Sequence, residues 1–455
     1  MSVIARHPKK PPASSPNDER YFDARDLEDE LRRAFQICHE CRMCVNYCGS
    51  FPVLFAAVDK AIDSGAAEGA EKIDDADIKA VSDQCWQCKL CYIKCPYTAD
   101  EQAAELLDFP RLMARERANR ARREGIPIVD RILGEPQMIG AMGGGIMAPV
   151  SNFVLASRLV RKVQEVATGI SAEFPLPPMA SQTFSSWFRE RQKKGIGPRV
   201  KEGQSAREVV LFPTCYGEYN TPEIAKAAVA VLEHNGFRVF VPGTDAENAD
   251  EERLSCCGMP NLDGGDLDAY TAKVKANAAL LYPHVQKGRK VAVLGPTCGY
   301  TMKREWAEYV PTDEVKAVTA ATLDIMEMLV TVAREKKLDR EFKNSLGTVA
   351  YHAACHLRAQ KIGFPGARLL GLVPNTDVRV IEECSAVDGT WGMKADYYET
   401  GRKYAQRLTR GIDGAEAAVV VSDCTLSGLR IQKENAAKAV HPVMALADAY
   451  GLDYR

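Results

Sequence analysis

The chain has 455 residues, 46% of them hydrophobic, with 59 basic and 61 acidic side chains giving a net charge of -2. That is long enough for two to four domains with cores of their own, and neither the near-neutral balance nor any interleaving of basic and aromatic residues suits a nucleic-acid binder. Fifteen cysteines would mean disulfides in a short secreted chain; here the opening MSVIARHPKKPPASSPNDER lacks an apolar signal core, so a reducing cytoplasm is expected.

Residues 1–24, rich in Pro, Ser and charge, are predicted to be a disordered tail. A helix follows, with Leu27, Leu31 and Phe35 on one face, and leads into the first of two copies of CxxCxxCxxxC. The copies are Cys38, Cys41, Cys44 and Cys48, then Cys85, Cys88, Cys91 and Cys95, with Pro96 directly after the second. Three thiolates within seven residues wrap one face of a cubane, and the fourth, set back, reaches across to a neighbouring cluster. By that rule Cys38, Cys41, Cys44 and Cys95 hold one [4Fe–4S] cluster, and Cys85, Cys88, Cys91 and Cys48 hold the other. Structural zinc sites join separated CxxC or CxxH pairs instead of dense triplets. The stretch between Cys48 and Cys85 is too long for the hairpin insert of a small β-ferredoxin, so residues 25–125 read as an α-helical two-cluster ferredoxin domain, with a second helix from about Asp100 to Arg117.

The arginines from Arg111 to Arg123 read either as a solvated helix face or as a docking face for an acidic partner or an anionic membrane. Residues 137–157 carry no charge, but Gly140, Gly143, Gly144, Gly145 and Pro149 break the stretch, so a membrane span is not expected. From Ser151 to Val166 one helical face collects Leu155, Leu159, Val163 and Val166 while Arg158, Arg161 and Lys162 lie off it. That pattern fits an interfacial membrane helix or an ordinary core-packed one. Residues 126–205 are therefore a helical linker and a candidate membrane- or partner-contacting segment.

From about Glu208 strands and helices alternate, which predicts parallel sheets covered by helices. Cys215 follows the first strand, Cys256 and Cys257 form a CCG triplet with Gly258 after the second, and Cys298 follows the third. The unit then recurs, with Cys355, Cys384 and Cys424 after its three strands. Ligands gather at the carboxyl ends of parallel strands, so these seven thiols are candidate ligands of a second kind of metal site. The duplicated halves are expected at 206–340 and 341–455, and the fold class is α followed by α/β.

With these motifs in place, the chain resembles the (Fe–S)-binding oxidoreductase family that joins a two-cluster ferredoxin domain to paired cysteine-rich CCG domains. That family includes the iron–sulfur C subunits of anaerobic glycerol-3-phosphate dehydrogenase, the iron–sulfur subunit of glycolate oxidase and the catalytic subunit of heterodisulfide reductase. The likeness lies in Tyr351-His352-Ala353-Ala354-Cys355-His356, Gly389-Thr390-Trp391-Gly392, His441-Pro442, Phe174-Pro175-Leu176-Pro177 and Phe184 to Trp187. It implies an additional iron–sulfur cluster in the CCG domain, with Cys215, Cys256, Cys257 and Cys298 as ligands in one repeat and Cys355, Cys384 and Cys424 in the other. It also implies a flavoprotein dehydrogenase partner, quinone as acceptor, and a cytoplasmic location, peripheral on the cytoplasmic face of the inner membrane. The departures are Thr301 and Ser427 where a complete repeat ends in CxxC, and Ser385 in the second repeat where CCG would have its second thiol. Hydroxyls are poor cluster ligands beside thiolates; His352 and His356, flanking Cys355, are candidate replacements, outer-shell hydrogen bonders or packing residues. No GxGxxG follows a strand, and no GxSxG, HExxH or P-loop occurs, so substrate oxidation is expected on another subunit. A thiol or disulfide reductase acting at the CCG site is the competing expectation.

Overall fold

A computed structural model describes residues 4–198, 205–244 and 253–455, so the end of the expected linker at 199–204 lies outside the described residues. The chain divides into two compact units, the first running to Arg131 and taking in Pro260–Leu267, the second comprising Ile132–Met259 and Asp268–Arg455.

The first unit is helical. Helix α1 (Ala24–Cys41) starts where the Asp23 carboxylate accepts from the amides of Arg25 and Asp26, and it buries the Leu27, Leu31 and Phe35 face. Helices α2 (Ser50–Asp63) and α3 (Asp75–Asp83) fill the interval between the cysteine runs, α3 held by a reciprocal capping box between Asp74 and Asp77. Short α4 (Leu90–Lys94) lies inside the second run. Helix α5 begins only at Phe109 and runs to Glu124, because Asp108 caps the Arg111 amide and Pro110 occupies the first turn; the predicted start near Asp100 falls instead in a 3-10 turn at Ala99–Glu101. Phe51 and Phe109 pack with ring centroids 4.8 Å apart at the centre of this unit.

Two expectations fail here for one reason. The described part of the expected tail is packed: Tyr21 is fully buried, and the Arg115 guanidinium donates to the Tyr21 carbonyl at 2.9 Å and to the Arg20 carbonyl at 2.5 Å. The arginine run is solvated only at its end, where Arg122 and Arg123 are exposed; its middle is turned inward. Arg115 is buried and pairs with Asp26 at 2.8 Å, Arg120 pairs with Asp83 at 2.7 Å, and Arg117 donates to the carbonyls of Ser82 and Cys85. Arginines of α5 thus satisfy backbone carbonyls that composition alone reads as disordered.

The second unit holds two four-stranded sheets, each wholly parallel. The first comprises β1 (Arg207–Phe212), β2 (Phe237–Phe240), β3 (Lys290–Val293) and β4 (Thr322–Asp324), in the order β2-β1-β3-β4. The second repeats it with β5 (Gly347–His352), β6 (Thr376–Ile381), β7 (Val419–Ser422) and β8 (Ala439–Val440), in the order β6-β5-β7-β8. Strands β4 and β8 are too short to carry a sequence signal. One apolar core joins Val209, Leu211 and Ala292 of the first sheet to Val349, Tyr351 and Val421 of the second through Leu232, Leu329 and Leu446 of the covering helices.

Ahead of the sheets, the stretch read as one helix from Ser151 is two, Ala148–Ala156 and Arg158–Thr168. Arg161 turns inward to the carbonyls of Ser171 at 2.5 Å and Phe174 at 2.8 Å. The apolar side is left outward: Phe153 is 78% exposed, Leu159 79%, Val163 68% and Val166 89%, so the core-packed reading does not hold. Among the described residues no single helix is long and apolar enough to cross a membrane; the pair Pro136–Gly143 and Gly145–Ala156 passes by length and composition but bends by 71°.

Candidate metal centres

In the first unit the eight ferredoxin-type cysteines fall into two sets. Cys38 and Cys41 occupy the last turns of α1, which ends as Arg42 enters the left-handed region at φ 54°. Burial pushes the Cys38 thiol well up, reinforced by Cys95, Cys44 and Cys41, so Cys95 stands with this first triplet. Burial together with Cys95 and Cys41 pushes Cys44 up to about 12. The second set, Cys48, Cys85, Cys88 and Cys91, lines a single small cavity with Trp86, Gln87 and Lys89. Cys91, raised by burial and then by Cys88, also feels Cys44 of the other set.

The loop that carries the second triplet is shaped by left-handed residues, Gln87 at φ 56° and Lys89 at φ 63°. Both side chains turn inward. Gln87 donates through Nε2 to Cys85 Sγ at 3.6 Å and to the Pro110 carbonyl at 3.1 Å, and the buried Lys89 ammonium donates to Gln87 Oε1 at 2.7 Å. Crowded, buried thiols cannot ionise together without cationic charge among them. All-sulfur sets of four fit the iron of [4Fe–4S] clusters, which supply one-electron redox chemistry when bound.

In the second unit the strands deliver seven cysteines to loops at their carboxyl ends. Cys215 sits in the helix Thr214–Tyr219 after β1, Cys298 in Pro296–Tyr300 after β3, and Cys256 and Cys257 in the loop ahead of Met259. These four converge. Cys256 accepts hydrogen bonds from the thiols of Cys215 and Cys257 and is held well below the ordinary thiol range, while Cys257 also bonds to Cys298. Asn277, fully buried, fixes the loop by accepting from the Ser255 amide at 2.8 Å and donating to the Cys256 carbonyl at 3.0 Å; Trp306 Nε1 donates to the Cys257 carbonyl at 3.0 Å. The triplet's glycine is required: Gly258 has φ 92°, and a Cβ there would stand 2.7 Å from the Tyr270 ring. Thr301, where a complete repeat has a further thiol, is buried, and its hydroxyl has no hydrogen-bond partner among the described residues.

The second repeat is built differently. Cys355 opens the helix Cys355–Ala359 after β5, Cys384 lies in the loop after β6, and Cys424 precedes the helix Thr425–Asn435 after β7. The two positions that lack thiols face each other, Ser385 Oγ to Ser427 Oγ at 2.8 Å, both buried. His352 is occupied on both ring nitrogens, with Ser422 Oγ at 2.9 Å and the Glu383 carbonyl at 3.1 Å, and burial pulls it down to about 4; it supports the loops instead of offering a ligand atom. His356 Nδ1 faces Thr297 Oγ1 at 3.0 Å, and its ring stacks on Tyr300 at 5.3 Å.

Family models agree with this division: a 4Fe-4S dicluster domain matches residues 33–100, and a Cysteine-rich domain matches residues 209–303 and again 349–431. Together these matches give the chain a 4Fe-4S dicluster domain ahead of a cysteine-rich domain in two copies. It is similar to the C subunit of anaerobic glycerol-3-phosphate dehydrogenase from Escherichia coli (strain K12), 25% identical over 324 residues, which cover 70% of this chain and 76% of that protein. The B subunit of fumarate reductase (CoM/CoB) from Methanothermobacter marburgensis is 24% identical over 52% of this chain and 44% of its own length. Lactate utilization protein A of an Exiguobacterium species is 25% identical over 41% of this chain and 74% of its own.

Sequence reasoning overlooked Gln87, Lys89 and Asp388. The first two lie inside a cysteine triplet, where an inward lysine is unexpected by residue type. Asp388 directly precedes the Gly389–Gly392 segment that carries part of the family likeness, which was the available signal.

Proposed function

We propose that this chain is the iron–sulfur electron-transfer subunit of a membrane-associated flavin dehydrogenase complex, receiving electrons from a flavoprotein partner and passing them on to quinone. Two [4Fe–4S] clusters would be held by Cys38, Cys41, Cys44 and Cys95, and by Cys85, Cys88, Cys91 and Cys48. A further iron–sulfur centre would use Cys215, Cys256, Cys257 and Cys298, with Cys355, Cys384 and Cys424 in the matching loops of the second repeat. The observation that carries the reading is the cavity where Cys48, from the first cysteine run, meets Cys85, Cys88 and Cys91 from the second. The convergence of four thiols in the first cysteine-rich repeat supports the onward step.

Independent observations support the partner and the membrane. The relatives named as subunits of a dehydrogenase and of a fumarate reductase support a partner that carries the substrate chemistry. The outward apolar side of Ala148–Ala156 and Arg158–Thr168 supports peripheral attachment from the cytoplasmic side. A thiol or disulfide reductase is disfavoured by the Ser385–Ser427 pair, which occupies two ligand positions of the second repeat.

The test is quantitation of iron and acid-labile sulfide with electron paramagnetic resonance on anaerobically purified full-length protein. About eight irons per chain correspond to two cubanes, and a greater number to a further centre that C215S should remove. A cluster-loaded protein that no flavoenzyme can reduce would overturn the reading.

A further inference from the structure

The second cysteine-rich repeat contains a mixed-donor cluster that the thiol pattern does not reveal. Cys355, His356 and Asp388 bring one potential ligand atom each to within 4.8 Å of one another. Asp388 Oδ1 lies 3.5 Å from His356 Nδ1 and 4.0 Å from Cys355 Sγ. A tetrahedral ion with metal–sulfur bonds of about 2.3 Å and metal–nitrogen or –oxygen bonds of about 2.0 Å places such atoms roughly 3.3 and 3.5 Å apart. Closing the two Asp388 distances to those values takes half an ångström or less.

We propose that Cys355, His356 and Asp388 bind one divalent transition-metal ion of borderline softness, of which zinc is the representative. Three features favour a bound ion over incidental packing. The side chains of His356 and Asp388 are each only 2% exposed, so the carboxylate and imidazole are withdrawn from water, where a cation held between them offsets the cost of burial. The loop that supplies Asp388 is contorted to do so: Ala386, Asp388 and Gly389 all have positive φ, at 47°, 28° and 51°, and such backbone is kept where the surroundings enforce it. The imidazole is oriented from outside the donor set by Tyr300, stacked on it with an interplanar angle of 17°.

The chemistry of the donors decides the class of ligand. One sulfur, one nitrogen and one carboxylate oxygen suit zinc or ferrous iron, whereas a cubane takes thiolates. Ser385 and Ser427, bonded to each other at 2.8 Å, withdraw two positions that a sulfur-rich cluster would use. Thr297 Oγ1, 3.0 Å from His356 Nδ1, leaves the fourth corner to that hydroxyl or to water. This assignment does not depend on a cluster in the first repeat.

The experiment uses the full chain purified anaerobically with its iron intact, stripped of loosely held metal by a mild chelator and offered zinc. Expected are uptake of about one zinc per chain and a zinc-edge X-ray absorption spectrum fitted by one sulfur near 2.3 Å and nitrogen or oxygen near 2.0 Å. Iron in the other centres is silent at that edge. D388N and H356Q, made separately, should each weaken zinc binding by at least about tenfold while leaving iron content and cluster resonance unchanged. C215S should do the reverse, losing iron and keeping zinc, which separates failure of this proposal from failure of the electron-transfer reading. The proposal is overturned by absence of zinc uptake, by an all-sulfur shell, by undiminished binding in D388N, or by loss of iron in H356Q.

Discussion

Replacing Lys89 by methionine isolates the electrostatic contribution of the second cysteine loop. Lys89 is 5% exposed and its ammonium donates to Gln87 Oε1 at 2.7 Å, and Gln87 in turn donates to Cys85 Sγ at 3.6 Å. The positive charge therefore sits two links from the thiolate set formed by Cys48, Cys85, Cys88 and Cys91. At a separation of roughly 7 Å and an effective dielectric of about 20, a unit charge interacts with an added electron by about 2.4 kcal/mol, which for a one-electron couple is about 100 mV. Methionine preserves the length and apolar stem of the side chain but removes the charge, so the reduced state of that centre loses stabilisation and its midpoint moves to lower potential, by about 50–100 mV after solvent screening. The assay is a potentiometric titration of the anaerobic protein followed by electron paramagnetic resonance. One of the two cubane signals should move and the other should shift much less. If neither midpoint changes, or if the two move together, the placement of Lys89 beside one particular set of four cysteines is wrong.

Arg115 anchors the N-terminal segment by an ion pair to Asp26 at 2.8 Å and donation to the Tyr21 carbonyl at 2.9 Å, so R115M should cost about 3 kcal/mol and expose the residues before Tyr21 to limited proteolysis while α1 to α5 stay protected. Replacing Leu159 and Val163 by glutamate, both outward-facing, should abolish co-sedimentation with anionic vesicles and leave iron content intact; unchanged sedimentation would remove the membrane assignment. His441 is buried, accepts from the Val443 amide through Nδ1 at 3.1 Å, and is pulled from 6.5 down to about 4 by burial. Because the unfolded state binds the extra proton, this contribution is complete above pH 6.5 and is lost as the pH falls toward 4, about 3 kcal/mol in all; H441N, which can keep the cap, should flatten that part of the stability profile in denaturant titrations. Asp324 has the opposite sign: burial raises its carboxyl from 3.8 to about 6, so its ionisation destabilises the fold progressively between pH 4 and 6. D324N, which can retain the cap on Ile325–Arg334, should therefore be the more stable protein at pH 7, by up to about 3 kcal/mol, and the difference should vanish near pH 4.

Wherever chemistry is encoded in local spacing, the chain announces itself before folding. Three thiols within seven residues can only serve a compact polynuclear site, and the alternation of Val209–Phe212, Pro222–His234 and Phe237–Phe240 can bury its apolar side only as a parallel layer under helices. The face of Leu27, Leu31 and Phe35 is legible on the same grounds, since a helical period says which side is dry. Long-range partners are not encoded that way. That Arg115, Arg117 and Arg120 turn inward, that the first residues are pinned by them, that Phe153 to Val166 present their apolar side outward, and that Asp388 swings beside His356 all depend on which distant segment stands opposite. A side chain's burial is a property of its neighbours in space, and charge, exposure and donor geometry acquire their values only once the loops at the strand ends have met.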